Sequence, residues 1–315
     1  MLLEKVKKIN FKKYIVYISF LIVFVGFSIL QPKSFMTADN IINILRQTAM
    51  ISVAAIGMTF AISAGQIDLS TGGIIATTSL TVALMLQHYS LPIAIVAGLA
   101  VGVACGAING LLLTKLRIPA FLVTLGTSSI FAGIARAMTN LEAVSVTNDN
   151  FTHFFGSGDI GIVPTLFIWT TILTVIGQYV YKKTSFGRSV LAVGGNQAAA
   201  RYSGIDVDKV KFWAMVICGL AAACAGILYA GRMHGARYTY GESDNMNVIA
   251  AVVIGGTSFS GGKGTVFGTL IGSLVIGMLN NGLLMMGLSV NAQMIARGIV
   301  IILAVSLSLR ESKAD

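Results

Sequence analysis

Ten apolar segments joined by short polar stretches dominate this chain, near 14–30, 48–64, 72–87, 91–114, 119–139, 164–181, 212–231, 246–262, 265–286 and 292–309. A bilayer's hydrocarbon core is crossed by an α-helix of about 20 mostly apolar residues. Lipid offers the backbone no hydrogen-bond partner, so only helices and closed barrels span it. The expected fold is therefore an all-α polytopic membrane protein of about ten transmembrane helices. Composition argues the same way. Charged residues are 11% of the chain and hydrophobic ones 55%, whereas a soluble domain carries about 25% charged residues. A soluble enzyme is excluded on that ground.

The formal net charge of +10 raises the question of nucleic acid. The basic residues sit in short runs between apolar segments rather than on one face, so no nucleic-acid partner is expected. They fit cytoplasmic loops instead, which retain Lys and Arg. With the N-terminus inside, those loops hold Lys5, Lys7, Lys8, Lys12, Lys13, Lys115, Arg117, Lys182, Lys183, Arg188, Arg201, Lys209, Lys211, Lys263, Arg310 and Lys313, sixteen of the 22 basic residues. Both termini are thus expected in the cytoplasm, with Tyr14 to Leu30 acting as signal anchor and first span. Cys105, Cys218 and Cys224 lie in apolar runs without metal-ligand spacing, so neither a metal site nor a disulfide framework is expected.

The two halves share a pattern. Asn109-Gly110-Leu111-Leu112-Leu113 returns 172 residues later as Asn281-Gly282-Leu283-Leu284-Met285, and the offset also pairs Leu116 with Leu288, Ala120 with Ala292 and Gly126 with Gly298. The two copies run in opposite directions through the membrane. Such inverted repeats belong to transporters that alternate access between two pseudo-symmetric halves.

The longest polar cytoplasmic stretch is 182–211. Gly194-Gly195 should end one element there, Asn196 should cap a short helix over Gln197–Tyr202, and Gly204 should stop it. Such a helix does not span. It is either a plain connector or a handle for a partner protein. The run Gly187-Arg188, Ala192 to Asn196 and Ala199 to Ile205 resembles the coupling segment of ribose/xylose/galactose-type ABC importer permeases. Phe35 to Gln47, Gly57 to Ser70, Ala250 to Gly264 and Gly268 to Gly282 resemble the same family, its ribose-type members most closely. The resemblance covers about residues 31 to 305. It implies a single type II ABC importer-like permease domain over 1–315, with 182–211 as its cytoplasmic coupling loop, in the bacterial cytoplasmic membrane. It further implies a monosaccharide cargo, a cytoplasmic ABC ATPase docked at Gly194, Gly195, Asn196, Ala199, Arg201, Gly204 and Ile205, an extracytoplasmic sugar-binding protein, and a second permease copy. Two departures bear on the cargo. Gln66 stands where the family usually has Gly, and 126–139 diverges. Inositol, autoinducer-2 or another polyol remain alternatives.

Gly255 to Gly264 invites a phosphate-loop reading. It fails at Thr257, where the first glycine belongs, and at Gly264, where a hydroxyl for magnesium is needed. The expectation is a tight turn, with ATP bound by the partner and no resident cofactor. An ion-driven carrier, the rival class, should bury ionisable groups mid-span, and Arg297 is nearly the only one. The translocation-path candidates are Asp68, Ser70, Asn109, Asn245, Asn247, Asn280 and Asn281. Asp68 and Ser70 can instead cap the third span, and the amides can hold helices together.

Overall fold

Local caps set where many of these helices begin. The Thr37 side chain accepts a hydrogen bond from the Asn40 amide, Asn148 from Phe151, Thr184 from Gly187, Asn196 from Ala199 and Asp206 from Lys209. Each satisfies one of the amides that a first turn leaves without a partner. The computed structural model describes residues 11–289, 291–296, 298, 299 and 302. Its elements are α1 (Phe11–Leu30), α2 (Ala38–Ser63), α3 (Thr71–His88), α4 (Leu91–Lys115), α5 (Ala120–Thr139), β1 (Val144–Ser145) and α6 (Asp149–Thr152), which continues as a π-helical turn, His153–Ser157. There follow β2 (Asp159–Ile160), β3 (Val163–Pro164), α7 (Thr165–Lys183), α8 (Ser185–Gly195), α9 (Gln197–Tyr202), α10 (Val207–Arg232), β4 (Gly235–Ala236), α11 (Asp244–Ile254) and α12 (Val266–Met285). The strands form two small antiparallel pairs, β1 with β4 and β2 with β3.

The chain is a polytopic helical membrane protein. Helices α2, α4, α5, α10 and α12 are each long and apolar enough to cross a bilayer. Aliphatic side chains cover outward faces, among them Ile22 and Ile29 on α1, Val96 on α4, Leu125 and Ile130 on α5 and Val175 on α7. In water these faces would be a severe liability; in lipid they match the solvent.

Two helices, α2 and α10, form the buried centre, packing on each other and on most of the rest. Helix α4 lies along α10, and α12 lies along α2; α3 packs on α4, and α11 on α12. Backbones come very close on these seams. A Cβ on Gly102 of α4 would stand 2.3 Å from the Ala223 Cβ and 2.5 Å from the Gly219 carbonyl oxygen of α10. Small residues permit that approach where lipid removes the usual hydrophobic drive between helices.

Helices α1, α2, α3, α4, α5, α7, α10 and α12 fall on eight of the expected spans. The segment at 246–262 differs: its helix, α11, has only 11 residues. It ends where the chain turns through Gly256 (φ +86°) and doubles back onto α12. The 182–211 stretch holds two helices, α8 and α9. Gly194 and Gly195 form the last turn of α8 and so end one element, as their pairing in the sequence implies. Most of the expected span 292–309, and with it Arg297, Arg310 and Lys313, lies outside the described residues, as do Lys5, Lys7 and Lys8.

Candidate functional site

Between α2 and α3 the chain leaves helical structure from Gln66 to Ser70, and polar groups of Ile67 to Ser70 are met by side chains from α3, α4, α5 and α11. Asp68, fully buried, accepts at Oδ1 from the Ser70 amide (2.8 Å) and the Ser70 hydroxyl (2.6 Å). The Asn109 amide on α4 donates to Ser70 Oγ (2.8 Å), and Thr127 on α5 donates to Asn109 Oδ1 (2.7 Å). Thr124 donates to the Ile67 carbonyl (3.2 Å). The network fixes the break in the chain by tying it to α4 and α5. Asp68 Oδ2 has no hydrogen-bond partner among the described residues.

Ser70 occupies the cap position of α3, but its side chain makes no capping bond. The cap comes from the other half of the chain. Asn245, at the start of α11, accepts from the Gly72 amide at Oδ1 (2.7 Å) and donates to the Leu69 carbonyl through Nδ2 (2.8 Å). The N-termini of α3 and α11 therefore meet, and Asn245 spends both ends of its amide on holding them. Its neighbour Asp244 accepts from the Tyr229 hydroxyl of α10. Asn247 is buried and donates to the Ser243 carbonyl (3.4 Å). Asn281 joins α12 to α2 by donating to Asn40 Oδ1 (2.9 Å), and Asn40 donates in turn to the Phe35 carbonyl. Asn280 is half-buried, its Oδ1 without a partner among the described residues. Asp68, Ser70, Asn109 and Asn245 thus come together in one seam; Asn280 and Asn281 lie apart from it.

The second set of residues gathers at the end of the bundle where α2 stops and α10 starts. Helix α9 has the expected bounds, with Asn196 as its cap (Oδ1 to Ala199 N, 3.0 Å) and Gly204 at φ +81° beyond it. Ala200 is buried beneath it, whereas Tyr202 is 94% exposed. Arg201 approaches Asp208 at 3.9 Å, both well exposed, an arrangement that adds little stability. Gly194 touches what the sequence did not connect to it. A Cβ there would lie 1.8 Å from the Ser63 carbonyl oxygen and 2.6 Å from the Gly262 amide. The failed phosphate loop is indeed a tight turn, closed by Ser258 N to Lys263 O (2.9 Å), and Gly262 N donates to Ser63 O (3.0 Å). The ends of α2, α8 and the α11–α12 turn are in backbone contact here, and only glycines allow it.

Two cavities flank α5. One of about 520 Å³ opens beside α9, with Gln66, Arg117, Gln197, Arg201, Asp208 and Lys211 among its lining. The other, about 290 Å³, lies at the opposite end, between α5, the start of α3 and the 236–243 loop; Ser128, Arg136, Tyr238, Tyr240 and Glu242 are among its lining. Charged residues rim this end of the bundle, Arg46, Arg136, Asp159 and Glu242 among them. The rim charges are in part paired within the chain, Arg46 with Asp159 (2.6 Å) and Arg136 with Glu242 (3.2 Å). Pairing across such sequence distances left no local signal.

Residues 40–305 match the family model described as branched-chain amino acid transport system / permease component. The ribose import permease protein of Bacillus subtilis (strain 168) is 42% identical over 287 residues, covering 90% of this chain and 89% of that protein. The ribose import permease protein of Escherichia coli (strain K12) is 40% identical over 292 residues, 91% of each chain. The D-allose transport system permease protein of the same organism is 36% identical, covering 96% of this chain and 93% of the relative. No solved structure matches. On a match that spans most of its length, the chain belongs to the branched-chain amino acid transport system / permease component family.

Proposed function

We propose that this chain is the membrane permease subunit of an ABC importer that carries a ribose-like monosaccharide across the bacterial cytoplasmic membrane. The observation that carries the reading is the 40–42% identity to two ribose import permeases over nine-tenths of the chain. ATP hydrolysis belongs to a separate cytoplasmic ATPase, and a sugar-binding protein delivers cargo on the other side. Helix α9 suits the ATPase contact: it is short, exposed, capped at both ends and in backbone continuity with α8. The charge bias of the loops supports cytoplasmic placement of the α9 end.

An inverted repeat of α2–α5 with α10–α12 and the following segment is supported by the exchanged pairings, α4 on α10 and α12 on α2, and by the facing starts of α3 and α11. A second copy packed along α5 would join the two cavities into one path, since one lies at each end of that helix. Lipid would then cover the remaining aliphatic faces. ATP-driven closure of the ATPase pair moves α9, and the Gly194–Ser63–Gly262 contact passes that motion to α2 and α12.

The test is reconstitution into proteoliposomes with the ATPase and binding protein. ATP-dependent ribose uptake that is insensitive to a proton uncoupler is expected. Uptake that persists without the ATPase and collapses with the proton gradient would overturn the reading in favour of a secondary carrier.

A further inference from the structure

We infer that the cavity between α5, the start of α3 and the 236–243 loop is a weak binding station for one monosaccharide on its way through the permease, an inference that rests on the import reading above. Its volume of about 290 Å³ is at the lower limit of small-ligand pockets, enough for one sugar ring and too small for a large glycan. Its lining has the chemistry a polyol needs. Hydroxyls both donate and accept, so a sugar is met best by charged and hydroxyl groups beside an aromatic face. Arg136 supplies donors and Glu242 acceptors, paired with each other at 3.2 Å in the lining. Ser128 and the phenol oxygens of Tyr238 and Tyr240 make no hydrogen bond to any described residue, and so stand ready for a ligand. The aromatic walls are held in place: Tyr240 stacks on Tyr229 with ring centroids 5.4 Å apart, and the Arg136 guanidinium lies 5.6 Å from the Tyr238 ring centroid.

The same geometry keeps the station weak. Arg136 and Glu242 already bond each other and are 48% and 61% exposed, so a sugar must displace that pair and compete with water. Weakness suits transit, because a site that held its cargo tightly would slow release. The floor of the cavity includes Gly72 and Asn245, the clamp joining α3 to α11. A shift between the halves would therefore change the cavity itself. Asn245, spent on that clamp, is a positioning residue here and not a ligand.

The test uses the full chain in lipid nanodiscs. Ser128→Cys places a thiol in the cavity, and Ile162→Cys places one on the exposed β2–β3 turn as control. Native Cys105 and Cys218 are buried, and the partly buried Cys224 is replaced by Cys224→Ala throughout, which leaves the engineered thiols to dominate labelling by a water-soluble maleimide. Millimolar D-ribose is expected to slow Ser128→Cys labelling several-fold, to leave Ile162→Cys unchanged, and to lose its effect when Tyr238→Leu and Glu242→Gln are added. Equal labelling with and without ribose, or equal slowing by a polyethylene glycol of matched osmolarity, would overturn the station. Ribose-dependent ATP turnover by the wild-type permease with its ATPase and binding protein separates the two questions. If turnover is present without protection, only the station falls; if it is absent, the import reading falls with it.

Discussion

Asn109 shows how one amide inside a membrane span can hold several elements together. Its Nδ2 donates to Ser70 and its Oδ1 accepts from Thr127, and no part of it is exposed. It therefore joins α4 to α5 and to the broken segment before α3. Asn109→Leu would leave the Thr127 hydroxyl with only a long bond to the Thr124 carbonyl (3.4 Å) and would remove the donor to Ser70 Oγ, and an under-satisfied buried polar group costs about 1–3 kcal/mol. A lower thermal unfolding midpoint in detergent is expected, with an unchanged Michaelis constant for sugar in whatever complex survives. A shift in the Michaelis constant without a loss of thermal stability would instead make Asn109 a cargo contact. Asn245 behaves differently because its partners are backbone groups of another helix. Asn245→Ala should release the start of α3, seen as faster hydrogen exchange at the amides of Gly72 and Gly73 and no change on α7.

At the scale of elements, α9 makes the sharpest claim. Its inner face is anchored by Ala200 while Arg201 and Tyr202 point outward. Tyr202→Ala and Arg201→Glu should leave the thermal midpoint where it is. Sugar moved per ATP hydrolysed should fall several-fold, measured as uptake and phosphate release in the same proteoliposomes. Normal coupling in both variants would remove α9 from the ATPase contact. Gly204→Ala adds a left-handed residue that L side chains resist by roughly 1–2 kcal/mol, so it should weaken the helix stop as well as the coupling. Helix α9 was legible in the sequence because its signals are local: a capping Asn, an Ala-rich turn and a stop glycine within nine residues. The end of α8 at Gly194-Gly195 was legible too, but what Gly187 and Gly194 pack against was not. Their structural reason is tertiary, since a Cβ on Gly187 would strike the Tyr181 carbonyl oxygen at 2.0 Å and one on Gly194 would strike Ser63. The shortness of α11 was hidden the same way, its apolar run passing without a break into Gly255 and Gly256.

For the whole molecule, the apolar runs were enough to give a polytopic helical bundle, but not the cavities, which arise where residues as distant as Arg136 and Glu242 converge. What encloses those cavities is a question about assembly. Helix α5 contacts chiefly α3 and α4, and its outward face carries Gly126 and Gly133, with nothing near either, between Leu125, Ile130 and Ile134. A face meant only for lipid has no need of small residues, whereas two copies meeting about a two-fold axis do. Under the homodimer reading, Gly133 of one copy would lie against Gly133 of the other. Gly133→Cys should then give an oxidative cross-link between copies in native membranes, in high yield and without loss of insertion. Ile176→Cys, on the aliphatic face of α7, should give none. Gly126→Leu should separate the copies and abolish ATP-driven uptake while leaving each copy folded, read by size-exclusion chromatography with light scattering. A cross-link from α7 in place of α5 would move the axis to the other side of the bundle and leave both cavities facing lipid, which polar linings such as Arg136 and Glu242 cannot tolerate.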